Sequence, residues 1–180
     1  MNEVISCIRQ RRSVRSFSGQ PIEEALLDEI LQAAVSAPSG KNRQTWRFTL
    51  IQNAVMIRNL EKTASGVIAA RGEKLWGFYG PDAIILTSND RNNSNGLADC
   101  ACALQNMFLA ASSLGIGSCW INGLKNIGDD PAIRALLSQW DIPENHIVWG
   151  VAALGYPAST GESTFFPHTA RNVNVIKKIR

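Results

Sequence analysis

The sequence predicts an α+β fold, and three observations carry that reading. Some segments repeat apolar residues at helical spacing, others alternate or run continuously as strands do, and the two kinds are mixed without strict β-α-β alternation. The 180 residues suit one domain. A chain of that length buries about 70% of the surface its unfolded form exposes, so its core needs no covalent staple. With 45% hydrophobic residues and a net charge of +3, it lacks the polarity and self-repulsion of a disordered chain. We expect a single domain over residues 1–180, with 158–180 as an extended C-terminal arm.

Along the chain, residues from about Asn2 to Arg12 bring Val4, Ile5 and Ile8 to one helical face, with Arg9 and Arg12 on others. A Ser-Gly turn and Pro21 follow. Glu23 and Glu24 open a second helix, where acidic groups meet the positive end of the helix dipole. Its stripe is Leu26, Leu27, Ile30, Leu31 and Ala34, and Pro38 stops it. Trp46, Phe48 and Leu50 alternate with Arg47 and Thr49, as in a half-buried strand. A helix from about Val55 to Lys74 is weakened by Gly66 and Gly72.

Ala83 to Thr87 is a continuous run that suits a strand buried on both faces, and the polar Ser88 to Gly96 reads as a loop. A long helix from about Leu97 to Leu114 ends at Gly115, the residue type that takes a left-handed cap. Ser118 to Ile121 is a short strand. Asp130-Pro131 opens a helix reaching about Trp140, with proline where no helical N–H is needed. His146 to Leu154 is the last apolar strand, broken by Gly155-Tyr156-Pro157. After Ala158, only Val173, Val175 and Ile176 show any pattern.

Charge and cysteine content exclude several functions. The 18 Lys+Arg against 15 Asp+Glu leave a mild basic excess, and the cluster Arg9, Arg11, Arg12 and Arg15 has only Phe17 as an aromatic neighbour. A nucleic-acid surface interleaves its cations with aromatics, so nucleic-acid binding is not expected. Cys7, Cys100, Cys102 and Cys119 show no C-x-x-C spacing, and His146 and His168 are remote from them, so no metal site is expected. The most apolar stretch, Leu97 to Ile121, is interrupted by Asp99, Gln105 and Asn106. It reads as a helix buried in protein on nearly all sides, not as a membrane span. The start shows no signal-peptide pattern, so reduced thiols in a cytoplasmic protein are expected.

Two polar segments can carry chemistry. Arg11-Arg12-Ser13-Val14-Arg15 gathers forked guanidinium donors and a hydroxyl at a helix end, a set that matches phosphate oxygens. The same residues suit an exposed basic helix end facing the negative pole of its dipole. Pro38-Ser39-Gly40-Lys41-Asn42-Arg43-Gln44 joins a helix to a strand, and its Asn and Gln amides can read the edge of a flat heterocycle. As a plain surface turn it would have the same composition. Gly40-Lys41 lacks the spacing of a Walker A loop, and Gly115-x-Gly117 lacks the third glycine of a dinucleotide fingerprint. No G-x-S-x-G elbow occurs, and His146 is placed at a strand start, so nucleophilic hydrolysis is not expected.

The order IRQRRSVRSF, APSGKNRQTWRF, DCACALQNMFLAASSLGIGSCWING and GVAALGYP, over about Ile5 to Arg171, resembles the nitroreductase family of FMN-dependent oxidoreductases, and its short bacterial members in particular. The resemblance implies a central mixed β-sheet flanked by helices, in an intertwined homodimer with FMN at the subunit interface. Arg11, Arg12, Ser13 and Arg15 would hold the phosphate and pyrimidine side of the flavin. Pro38, Ser39, Gly40, Asn42 and Gln44 would form the second flavin loop, usually supplied by the other subunit. Ile121, Asn122 and Gly123 would contact the ring through their backbone, and Arg171 would complete the phosphate site.

A dimer interface would also explain why Ala98 to Leu114 is apolar all round. The sequence departs from the family pattern at three places. Thr45 stands where proline is common, a change expected to matter little. The stretch from Glu61 to Pro81 is short and ends in Trp76, Phe78 and Tyr79, without the mid-chain insertion that shapes the substrate pocket of larger relatives. Asn122 is polar where the ring edge is read.

The implied activity is a ping-pong cycle in which NADH or NADPH gives hydride to the flavin, and a nitroaromatic, quinone or enone then takes it. No catalytic acid or base is assigned, because the cofactor carries the redox chemistry. Arg15, Lys41 and Asn42 would stabilise negative charge at the pyrimidine edge. The alternative is a flavin-binding carrier or sensor without nicotinamide turnover, motivated by the short mid-chain segment.

Overall fold

A four-stranded sheet organises the computed structural model, which describes residues 2–74, 77–158 and 177. Its strands are β1 (Trp46–Ile51), β2 (Ala83–Asp90), β3 (Gly117–Ile121) and β4 (His146–Gly155). They lie in the order β1-β2-β4-β3, and every neighbouring pair is antiparallel. The mixed character expected of the sheet is confined, among the described residues, to one parallel bridge between Ser13 and Ser118.

Helices α1 (Glu3–Gln10), α2 (Glu24–Val35), α3 (Ala54–Ala70), α4 (Gly96–Ser113) and α5 (Pro131–Gln139) complete the α+β arrangement. One face of the sheet is covered by α2 and α4, through Leu27, Ile30, Leu104 and Met107. The other is covered by α3 and α5, through Ile57, Leu60, Ile133 and Leu137. The continuous apolar run in β2 follows from this layering. Ala83 and Ile85 point to the α2/α4 side, Ile84 and Leu86 to the α3/α5 side, and all four are fully buried. Ile84, Ile85 and Leu86 each contribute about 1.5–3 kcal/mol by leaving water.

Local signals set the helix ends. Asn2 and Asn53 accept backbone N–H groups at the starts of α1 and α3, and Asp130 does so ahead of Pro131 in α5. Gly115, at φ +74°, turns the chain out of α4, and the Ile116 N–H donates to the Ala111 carbonyl at 2.8 Å.

Three expectations are corrected, and the exposure of α1 adds a feature that the sequence did not predict. The third helix stops at Ala70 and not Lys74, because Gly72 takes a left-handed φ of +77° and the Glu73 N–H returns to the Ile68 carbonyl. The second strand does not end at Thr87: Ser88, Asn89 and Asp90 continue it, past a bulge, against Val148, Ile147 and His146. Strand partners on both sides of Ser88 and Asn89, and β4 alone beside Asp90, satisfy that polar backbone, so side-chain polarity does not force a loop. Helix α1 buries none of its residues, leaving Val4, Ile5 and Ile8 exposed. Helix α4 is not covered on nearly all sides in the protomer, since Leu97 is 47% accessible and Cys102 and Gln105 are exposed.

The four cysteines are free thiols, and burial pushes the Cys100 thiol up to about 12. His146 opens β4 as expected, with Nδ1 3.1 Å from the Ser88 hydroxyl. Burial, with the nearby Arg47, holds its pKa below the ordinary value. No helix among the described residues is long and apolar enough to cross a membrane. Val173, Val175 and Ile176, and most of the expected arm, lie outside the described residues.

Candidate functional site

The arginine segment leaves α1 at Arg11, where ψ turns to 134° and the chain becomes extended. It then lies along β3. The Val14 N–H donates to the Ser118 carbonyl at 2.8 Å, and Val14 is buried against Gly117. A Cβ at Gly117 would stand 2.7 to 2.9 Å from three atoms of the Val14 side chain, so only glycine admits this approach. Seated there, Arg11 and Arg15 both act on the Cys119 thiol: burial raises its pKa, and the two cations lower it. The Arg15 guanidinium carbon lies 5.9 Å from the centre of the Tyr79 ring, a cation–π distance.

Arg12 behaves differently. Its Nη1 donates to the carbonyls of Arg9 and Arg11 at 2.6 and 2.8 Å, so it caps the C-terminal end of α1.

Tyr79 and the end of β3 form the wall of a cavity of about 350 Å³. Trp120, Ile121, Asn122 and Gly123 line it, with Arg71, Glu73 and Lys74 also contributing. Arg15 reaches the edge of this cavity through Tyr79, and Ser13 bridges Ser118 in the strand that ends at Ile121, although Arg11–Arg15 do not themselves line it. Tyr79 reaches the cavity through a strained turn: Gly77, Tyr79 and Gly80 all have positive φ, and the Phe78 N–H donates to Glu61 Oε1 at 2.7 Å. The aromatic cluster and its glycines were the sequence signal for that wall. Arg71 and Lys74 carried none, because only the end of α3 packing beside β3 puts them there.

The second polar loop sits elsewhere. Pro38–Gln44 leads into β1, one edge of the sheet, whereas the arginine segment follows β3, the other edge. Three strand spacings, about 14 Å, separate those edges. Within one protomer the two groups of candidate residues are apart.

Lys41, Asn42 and Gln44 have φ of 56°, 54° and 49°, left-handed conformations that each cost about 1–2 kcal/mol. Hydrogen bonds hold them. The Gly40 N–H donates to Asp99 Oδ1 at 2.8 Å, the Gln44 N–H to Ser39 Oγ at 3.2 Å, and Gln44 Nε2 to Asn42 Oδ1 at 2.6 Å. A side chain at Gly40 would collide with Asn95. Thr45 is not a neutral replacement for proline: its hydroxyl donates to Asn89 Oδ1 at 2.7 Å and accepts from Asn93 Nδ2 at 2.9 Å. Arg171 lies outside the described residues.

The sequence matches the model of the nitroreductase family over residues 8–156, from α1 through all four strands. The chain belongs to that family. A nitroreductase of Bacteroides fragilis, solved with bound FMN, is 38% identical to it. Their folds agree with a TM-score of 0.88 over 98% of this chain and 100% of that one. The FMN-bound nitroreductase of Desulfitobacterium hafniense is 28% identical, with a TM-score of 0.80 over 97% and 99% of the two chains. A chain of Archaeoglobus fulgidus, provisionally named NADH dehydrogenase/NAD(P)H nitroreductase, is 32% identical over 166 residues, 87% of each protein. The two solved nitroreductases share the α+β architecture described above.

Proposed function

We propose that this family member is a cytoplasmic oxidoreductase moving hydride from NADH or NADPH to a small nitroaromatic, quinone or enone by a ping-pong cycle, bound FMN supplying the two-electron chemistry. The observation that carries this reading is the seating of Arg11–Arg15 along β3, beside a cavity with an aromatic wall. The donor set fits FMN. A phosphate dianion needs guanidinium and hydroxyl donors, and Arg11, Ser13 and Arg15 provide them. A flat, amphipathic ring needs an apolar wall and a few polar atoms, which Tyr79, Trp120 and the Ile121–Gly123 segment offer.

Arg12, one guanidinium nitrogen of which holds the end of α1, would join its neighbours at the phosphate end. Arg15, together with Lys41 and Asn42 of the loop, offers donors where negative charge develops at a ring edge. Pro38, Ser39, Gly40, Asn42 and Gln44 would complete such a site from a second copy of the chain, since their own protomer keeps them at the opposite edge. The exposed Val4, Ile5 and Ile8 of α1, with Leu97 of α4, give a homodimer apolar surface to cover. Arg171, in the arm of a single domain over 1–180, would add a further phosphate contact. The site calls for no metal and no acid–base side chain.

The test is anaerobic reduction of the FMN-saturated protein. The yellow absorbance is expected to bleach with NADH or NADPH and to return on adding a quinone or nitroaromatic. Protein that holds FMN but is bleached by neither nicotinamide would be a flavin carrier, and the proposed activity would fall.

A further inference from the structure

We propose that Thr45 is a positioning residue for the Pro38–Gln44 loop, acting through a buried clamp that closes both ends of the loop on one side-chain amide. The amide nitrogen of Asn93 donates to Thr45 Oγ1 at 2.9 Å and to Asp99 Oδ2 at 3.1 Å, using both of its hydrogens. The other Asp99 oxygen accepts the Gly40 N–H at 2.8 Å. The far side of the clamp is closed by the Thr45 hydroxyl, which donates to Asn89 Oδ1 at 2.7 Å; that oxygen also accepts the Asp90 N–H. Gly40 and Thr45, the two ends of the strained turn, are thereby tied to the same group.

Burial makes the arrangement exacting. Asn89 is fully buried, Asp99 is 4% accessible and Asn93 is 6% accessible. A donor left without a partner there finds little water to replace it. Asn93 is itself held, since its Oδ1 accepts the Asn95 N–H at 3.0 Å, and the Asn95 side chain packs against Gly40. The three left-handed residues between the tied ends persist because the surroundings over-determine them. They set where the Asn42 and Gln44 amides point. A proline at position 45 could neither donate to Asn89 nor accept from Asn93, so the clamp depends on a hydroxyl at this position.

The inference rests on the reading that this loop contacts FMN across a subunit boundary. Its test compares the unchanged protein with Thr45→Val, which keeps the shape and loses the hydroxyl, and with Thr45→Ser, which restores it. Two readouts are taken on the full-length protein. One is the dissociation constant for FMN, followed by the visible spectrum. The other is the rate of trypsin cleavage after Lys41 and Arg43, loop residues exposed in the protomer, measured on FMN-free protein and followed by mass spectrometry.

Thr45→Val removes both hydrogen bonds of the Thr45 hydroxyl and is expected to weaken FMN binding about tenfold through the displaced loop. It is expected to speed cleavage at both sites and, by leaving Asn89 and Asn93 short of a partner, to lower the melting temperature by a few degrees, and Thr45→Ser is expected to recover all three values. If the unchanged protein binds FMN and Thr45→Val binds it equally well, the positioning role is overturned, whatever the cleavage rates. Unaltered cleavage in Thr45→Val would overturn the clamp itself. Failure of the unchanged protein to bind FMN would instead sink the underlying cofactor reading, and this proposal with it.

Discussion

Gly117→Ala is expected to weaken FMN binding by about 10- to 100-fold, although residue 117 offers no side chain to any ligand. The added Cβ would stand 2.7, 2.8 and 2.9 Å from Cγ2, Cβ and Cγ1 of Val14. Because one of those atoms is the Val14 Cβ, no change of rotamer relieves the overlap, and the segment must retreat from β3. The retreat breaks or lengthens the bond from the Val14 N–H to the Ser118 carbonyl, and it carries Arg11 away from β3 and Arg15 away from the Tyr79 ring. Losing one good charge-assisted contact, worth about 1.5–3 kcal/mol, accounts for a change of that size.

Overpacking should also lower stability by about 1–3 kcal/mol. A second substitution separates the two effects. Val14→Gly in the Gly117→Ala background removes all three crowded atoms, so FMN affinity should return in part even though the added glycine keeps stability low. Affinity that stays lost, or that never fell in Gly117→Ala, would contradict the seating of the arginine segment as the cofactor determinant. Titration with FMN, against riboflavin as the phosphate-free control, measures this directly. The loss should be larger for FMN.

Phe78→Ala should produce the largest loss of stability, about 3–5 kcal/mol, from a ring deleted in a fully buried position. Phe78 packs in the α3/α5 core, and its backbone N–H is held by Glu61. Total stabilities of single domains are about 5–15 kcal/mol, so the variant should be marginal at room temperature. Phe78→Leu should retain most of the stability, because it keeps much of the buried volume. Urea unfolding of the three proteins settles the matter, and a loss below about 1 kcal/mol would show that the ring does not support the core. Tyr79 follows directly in the chain, so destabilising this turn should also disturb the wall of the cavity.

Much of the fold was legible because its signals are local. Asp130-Pro131 and Gly115 marked helix ends through the backbone angles and missing donors that those residues impose, and the alternation from Trp46 to Leu50 marked a half-buried strand, which the sheet order then puts at an edge. The extension of β2 through Ser88, Asn89 and Asp90 was not legible, because it depends on partners in β4 nearly 60 residues away in sequence.

The candidate site divides the same way. Its arginines and its polar loop were visible as composition, while their placement depends on the single approach of Val14 to Gly117 and on the sheet order. Arg12 illustrates the limit. From sequence it was equivalent to its neighbours, yet in the fold it serves the end of α1. Thr45 illustrates the converse, since its importance lies with Asn89 and Asn93, which no window around position 45 contains.

The measurement that tests the central claim most directly is the visible absorption spectrum of the purified protein, with identification of any chromophore released on denaturation. A flavin spectrum, with FMN released at close to one per chain, is the predicted result, either as purified or after incubation with FMN and removal of the excess. Protein that stays colourless after that incubation would show that Arg11–Arg15 and the cavity beside β3 do not form a flavin site.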